Sequence, residues 1–161
     1  MPRTRPYVAS DWDAFCALEI ETAELTLKST PDANRDGFAV RWAEQIRSAF
    51  GAGAVLTQHR DALIVLEDDD GTYAGHLWLC EMDDPLAGTR RLYVRTVAVV
   101  ARFRSRGWGR LLMKRAEDGA RARRLGGIAL MVAADNVVAR KLYDEMGFAA
   151  TQLMMVKKVD A

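Results

Sequence analysis

Thiols and imidazoles are scarce in this chain, with two cysteines and two histidines in 161 residues. Cys16 and Cys80 stand apart in apolar sequence and form no close-spaced pair or Cys/His cluster of the kind that holds zinc. They read as free core thiols, and no metal is expected. His59 and His76 have no Ser, Cys or Asp partner at a recognisable spacing, so neither is given a catalytic role. Long apolar runs are missing too. No window approaches the roughly 18 consecutive apolar residues that a membrane-crossing helix needs, and Met1-Pro2-Arg3-Thr4-Arg5-Pro6 has no apolar stretch behind its basic start. A soluble, cytoplasmic protein without a membrane partner is expected. Internal repeats and low-complexity linkers are also absent. With half the residues hydrophobic and 28% charged, residues 1–161 read as one globular domain around a single core.

The formal net charge of +1 hides a division. Residues 1–89 hold 7 Lys and Arg against 16 Asp and Glu, whereas residues 90–161 hold 16 against 6. Opposite fields on the two halves suit a polyanionic ligand on the second and a cation on the first, or simply halves that attract one another. Only a motif can decide between them.

Tyr7-Val8 reads as a short strand, after which Ser10 suits the N-cap of a helix over residues 11–25. Phe38, Trp42, Ile46 and Phe50 repeat at helical spacing, and residues 55–60 are ambiguous between a helical turn and irregular chain. The apolar run 62–66, the turn Asp68-Asp69-Asp70-Gly71 and the run 73–82 make a hairpin, and a third strand follows over 91–100. Residues 108–125 then suit an amphipathic helix, with Trp108, Leu112, Ala116 and Gly119 on one face. Residues 128–133 form an apolar strand, 136–146 a second helix and 148–159 a final strand. The class is α/β (α+β), a central mixed, mostly antiparallel sheet of about six to seven strands with helices on both faces. Trp12, Trp42 and Trp78 read as core aromatics.

Arg104-Ser105-Arg106-Gly107-Trp108-Gly109 lies where the strand ends and a basic helix begins. A helix start offers unpaired N–H groups and the positive end of the helix dipole, and glycines let the backbone approach an anion closely. Arg102, Arg104, Arg106 and Arg110 surround this point, so two phosphoryl groups could be met by backbone and guanidinium donors together. A dinucleotide fold wants a third glycine where Leu112 stands, and a triphosphate loop wants Gly-Lys-Ser/Thr where Gly109 is followed by Arg110 and Leu111.

The pattern Arg, two residues, Gly, one residue, Gly directly after a strand resembles the signature of the GCN5-related N-acetyltransferase (GNAT) family. Asn136, Ala139, Leu142-Tyr143 and Met146-Gly147-Phe148 are similar to that family's second half, and the match covers about residues 92–159. The resemblance implies acetyl-CoA as donor. The backbone of Val97, Ala98 and Val99 would pair with the pantetheine arm, and the N–H groups of Arg104, Ser105, Arg106, Gly107, Trp108, Gly109 and Arg110 would hold the pyrophosphate. Asn136 matches a position that contacts the pantetheine or adenylate part, or else it simply caps the following helix.

Acyl transfer from a thioester to an amine needs a neutral nucleophile, an oxyanion donor and a proton for the departing thiolate. The resemblance implies the Val97 backbone N–H as oxyanion donor and Tyr143 as general acid, a phenol with an ordinary pKa of about 10 suiting a thiolate leaving group. Some members carry a strand glutamate as base, but residues 91–96 contain no carboxylate. Glu81 is the first candidate in its place, with Asp83, Asp84, Glu21 and Glu24 as further possibilities, and Arg95 either pairs with one of them or meets an anionic substrate. The expected activity is acetyl transfer from acetyl-CoA to a primary amine by direct attack in a ternary complex, the amine being a small molecule or a protein. Two other classes stay open, a CoA-binding sensor without catalysis and a polyanion or nucleic-acid module on segment 90–124, which holds 12 Lys and Arg against 2 acidic residues. Few aromatics interleave there, and the acidic remainder weighs against nucleic acid. A homodimer is expected by analogy alone.

Overall fold

A computed structural model describes residues 1–50 and 62–159; the ambiguous segment 55–60 and His59 lie outside the described residues. The elements are β1 (Arg3–Pro6), α1 (Trp12–Leu27), α2 (Phe38–Phe50), β2 (Ala62–Glu67), β3 (Tyr73–Asp84), β4 (Thr89–Val99), α3 (Trp108–Ala122), β5 (Ile128–Leu130) and α4 (Val137–Glu145). Among the described residues the strands form one sheet in the order β1-β2-β3-β4-β5. The first three pairings are antiparallel and β4 with β5 is parallel.

Local chemistry accounts for the connections. Asp68 Oδ1 accepts the N–H groups of Asp70 and Thr72 at 3.0 and 2.8 Å, closing the β2–β3 turn. Asp84 Oδ1 accepts those of Leu86 and Ala87, both at 3.0 Å, and closes the turn into β4. β3 runs through the middle of the sheet with Ala74 to Cys80 buried in succession, as expected of a strand covered on both faces. On one face Leu77, Leu79, Leu92 and Val94 pack with Leu112, Met113 and Ala116 of α3. On the other, Leu63 and Trp78 pack with Phe15 of α1 and Ile46 of α2. Phe15 is wholly buried with its ring edge-on to Trp78 at 5.7 Å, a burial that stabilises by roughly 1.5–3 kcal/mol.

The mixed, mostly antiparallel sheet and its two helical layers match the sequence expectation, but the strand count among the described residues is five. Residues 148–159 join no ladder, and Leu153, Met154 and Met155 are exposed there. The first strand is displaced from Tyr7-Val8 to Arg3–Pro6. Arg3 and Arg5 both hold Glu67 of β2, at 2.7 and 2.6 Å, so an arginine-rich segment without apolar alternation is drawn into the sheet by a carboxylate on its neighbour. Ser10 is not the cap of α1; Asp11 takes that position, and its carboxylate turns back to Arg5 and to the Val8 N–H.

Candidate active site

The opening that makes the site lies between the last two strands of the sheet. β4 and β5 pair over three residues only, Leu92 with Ile128, Tyr93 with Ala129 and Val94 with Leu130. β5 then ends, while β4 runs on to Val99 against β3. At the point of separation the β3–β4 register slips between Trp78 and Leu79, leaving Arg95 as the extra residue of a β-bulge. Beyond it, the Val100 N–H bonds Ala74 O on β3, and alternate residues of an antiparallel strand address opposite neighbours. Ala98 therefore directs its backbone to β3, whereas Val97 and Val99 direct theirs into the gap left by β5. Of the three positions expected to read a pantetheine arm, two have outward-facing backbone.

A cleft of about 360 Å³ occupies this gap. Val94 to Val97 form one wall and Leu130 to Ala133 the other, while Ala139 and Tyr143 of α4 close one end and residues of α1 and α2 the opposite end. Asn136 also lines it, and its Oδ1 accepts the Ala139 N–H at 3.1 Å. The two readings of Asn136 are thus compatible, since the capping oxygen leaves the amide nitrogen available.

The Arg104–Arg110 loop lies beyond the end of β4. The Arg104 N–H bonds Ala101 O and the Leu111 N–H bonds Gly107 O, and among the described residues the six N–H groups between them have no backbone acceptor. Ser105 and Gly107 both have positive φ, 62° and 78°, an alternation that turns successive N–H groups towards one concave side. Open space surrounds the place a Cβ on Gly107 would take. Donors, room and the start of the 15-residue helix α3 fit a pyrophosphate.

The guanidinium groups are less free than expected. Arg104 donates to Val99 O at 2.9 Å and pairs with Glu21 at 2.6 Å, bracing the loop against β4 and α1. Arg110 pairs with Glu145. Arg102 stacks on Phe103 and Arg106 on Phe103 and Trp108, whose rings lie 5.0 Å apart. Backbone donors therefore dominate the cradle.

Tyr143 is 9% exposed and lines the cleft. Burial pushes its phenol above the ordinary tyrosine value, so it holds its proton. Glu81 is placed elsewhere: its carboxylate lies between Arg90, at 3.4 Å, and Arg123, at 3.2 Å, and does not line the cleft. Asp83 and Asp84 pair with Arg90 and Arg91 in the same region, Glu21 braces Arg104, and Glu24 is not part of the lining.

The carboxylate in the cleft is Glu19 of α1, 3% exposed and not singled out from the sequence. His76 Nε2 meets Glu19 Oε1 at 2.7 Å, Thr96 Oγ1 donates to Oε2 at 3.2 Å, and Tyr73 Oη lies 2.6 Å from His76 Nδ1. Burial pushes the Tyr73 phenol far above its ordinary pKa, so it keeps its proton. A carboxylate oxygen accepts, so the His76 Nε2–H donates to Glu19. His76, wholly buried, thus has a partner that sequence spacing concealed, because Glu19 is 57 residues away on another element. Trp42, read as a core aromatic, both packs in the core and lines the cleft, stacked on Phe38 at 5.7 Å.

A sheet parted between β4 and β5, with a cradle for an anion at the next helix, is the arrangement that the sequence resemblance implied. The model of the Acetyltransferase (GNAT) family matches residues 19–148, and the chain belongs to that family. It is 33% identical over 96 residues to the uncharacterized N-acetyltransferase YdgE of Bacillus subtilis (strain 168), an alignment covering 58% of this chain and 59% of that one. It is 39% identical over 85 residues to mycothiol acetyltransferase of Beutenbergia cavernae, covering 53% of this chain. The chain spans about three fifths of the first relative and 27% of the second. A GCN5-related N-acetyltransferase from Ralstonia eutropha JMP134 shares the fold, with TM-score 0.75 and 18% identity over 98% of this chain and 99% of that one. No helix among the described residues is long and apolar enough to cross a membrane.

Proposed function

We propose that the chain transfers an acetyl group from acetyl-CoA to a primary amine by direct attack within a ternary complex. The observation that carries this is the parting of β4 from β5, which leaves the Val97 backbone open between a buried carboxylate and a buried phenol. The donor would lie along Val97 and Val99 with its pyrophosphate against the N–H groups from Ser105 to Arg110, and Asn136 within reach through its amide nitrogen. The thioester supplies the activated carbonyl.

Glu19 takes the base role in place of Glu81, because Glu19 lines the cleft and Glu81 does not. An incoming ammonium loses a proton to Glu19, and the neutral nitrogen attacks the carbonyl. The Val97 N–H stabilises the negative charge that develops on the carbonyl oxygen. Tyr143 then donates its proton to the departing sulfur. Burial favours both ends of this arrangement, since a water-poor cleft strengthens the N–H contact and keeps the phenol protonated.

Mixing the protein with acetyl-CoA and a panel of amines and following free thiol tests the reading. Thiol release that depends on the amine is expected. Acetyl-CoA binding with no release across amino acids, polyamines, aminoglycosides and peptide N-termini would speak for a non-catalytic CoA-binding protein instead.

A further inference from the structure

The amine-facing end of the cleft holds two opposite charges that do not neutralise one another. Glu19 is the acidic residue of the lining and Arg95 the basic one. No ion pair joins them among the described residues, although Thr96, the next residue after Arg95, touches Glu19 Oε2. Each is held by other neighbours. The Glu19 oxygens are taken by His76 and Thr96, while the Arg95 guanidinium rests 5.3 Å from the centre of the Trp78 ring. Trp78 faces the α1–α2 side of the sheet, so the bulge turns Arg95 to the same side as Glu19. Arg95 has no carboxylate partner among the described residues, in a half of the sequence where Arg90, Arg91, Arg104 and Arg110 all have one. Above the pair, Phe38 and Trp42 add a stacked apolar wall.

We infer that the acceptor is an amine carrying a carboxylate beside an apolar group, an amino acid with an apolar side chain, and that Arg95 selects it by binding that carboxylate. This rests on the acetyl-transfer reading only in taking this end of the cleft as the acceptor side. With its ammonium directed to Glu19, such an amine turns the carboxylate on the neighbouring carbon towards Arg95, whose guanidinium presents a planar pair of donors. The side chain then meets Phe38 and Trp42. An amine without the carboxylate leaves Arg95 unbridged and forfeits that interaction.

The test compares matched pairs that differ only in the carboxylate. N-acetylleucine and N-acetylphenylalanine are titrated into the CoA-saturated protein beside N-acetylisoamylamine and N-acetylphenethylamine, and the free amines are compared as substrates by thiol release. Binding of the carboxylated member at least tenfold tighter is expected, a preference that Arg95→Gln abolishes and Arg95→Lys restores in part. The acetyl-CoA thermal shift of each variant reports that the fold and donor side are intact. Equal binding within the pairs, no binding by any member, or a preference unchanged in Arg95→Gln would overturn the inference. Carboxylate preference in binding, lost in Arg95→Gln, without thiol release would overturn acetyl transfer to these amines while leaving Arg95 as a carboxylate-binding site.

Discussion

The side of the cleft proposed for the donor and the side proposed for the amine are built on different principles. The donor side is backbone, consisting of the outward-facing groups of Val97 and Val99 and the unpaired N–H groups of the loop before α3, set by two positive-φ residues within three positions of each other. The amine-facing side is side chain, with Glu19 from α1, His76 and Tyr73 from β3, Thr96 and Arg95 from β4, and Phe38 and Trp42 from α2. A group shared by every reaction can be held by geometry common to any residue, whereas choosing among amines requires particular charges. The lesson is that the donor side tolerates changes of side chain and resists changes of backbone, and the opposite side does the reverse.

The largest expected effect lies on the side-chain side. Glu19→Gln keeps the shape and a hydrogen-bonding partner for Thr96 but removes the proposed base, and a loss of kcat/KM of roughly 100- to 10,000-fold is expected with acetyl-CoA affinity retained. An unchanged rate would return the base role to water or to another carboxylate. Glu19→Ala additionally leaves the buried His76 Nε2 without its acceptor, at a cost of about 1–3 kcal/mol in stability measured by denaturant unfolding.

Tyr143→Phe comes next, with kcat lower by about 100-fold and acetyl-CoA binding unaltered by calorimetry. The phenol must be protonated to act, and burial raises its pKa. Activity that depends on it is therefore present below the ordinary tyrosine value of about 10 and lost only as pH rises through the higher value in the folded protein. A kcat profile of the wild type should show its alkaline limb above that point, and a limb near neutrality would assign the acid elsewhere.

Two alanine substitutions separate backbone from side chain on the donor side. Gly107→Ala meets no atom but imposes a left-handed conformation on a residue with a Cβ, a strain of about 1–2 kcal/mol. Acetyl-CoA binding should weaken by about tenfold if the loop relaxes. Gly109→Ala has the smallest effect. Its Cβ would lie at an ordinary 3.5 Å from Leu142 Cδ2 and its backbone is helical, so thermal unfolding should move little, if anything upward. A larger loss of binding for Gly109→Ala than for Gly107→Ala would reverse the assignment of which glycine shapes the cradle.

Legibility followed the same division. Arg104 to Gly109 could be found in the sequence because a helix start, its glycines and its flanking strand are contiguous, and Asn136 and Tyr143 could be aligned with it through one helix and one short strand. Glu19 could not. Its role comes from contacts with residues 57 and 77 positions away, and nothing in the α1 sequence separates it from Glu21 or Glu24 until the helix is laid on the sheet. The sole local signal would have been helical phase: Glu19 follows Phe15 and Leu18 on the buried face of α1, a place where a carboxylate is costly without partners.

The β1 displacement and the missing final ladder have the same origin. Propensity favours a strand at 148–159, but a strand exists only when a neighbour accepts its hydrogen bonds, and Arg3–Pro6 lacks apolar alternation yet has Glu67 to anchor it. By itself, then, the sequence determined the order of helices and strands as far as α4, the glycine-flanked helix start and the family, because each depends on residues close together in the chain. Tertiary structure alone decided which carboxylate enters the cleft, which arginines are neutralised and which is left facing it. Those outcomes are differences in pairing between distant groups, and burial and distance exist only once the sheet has brought α1, β3 and β4 together.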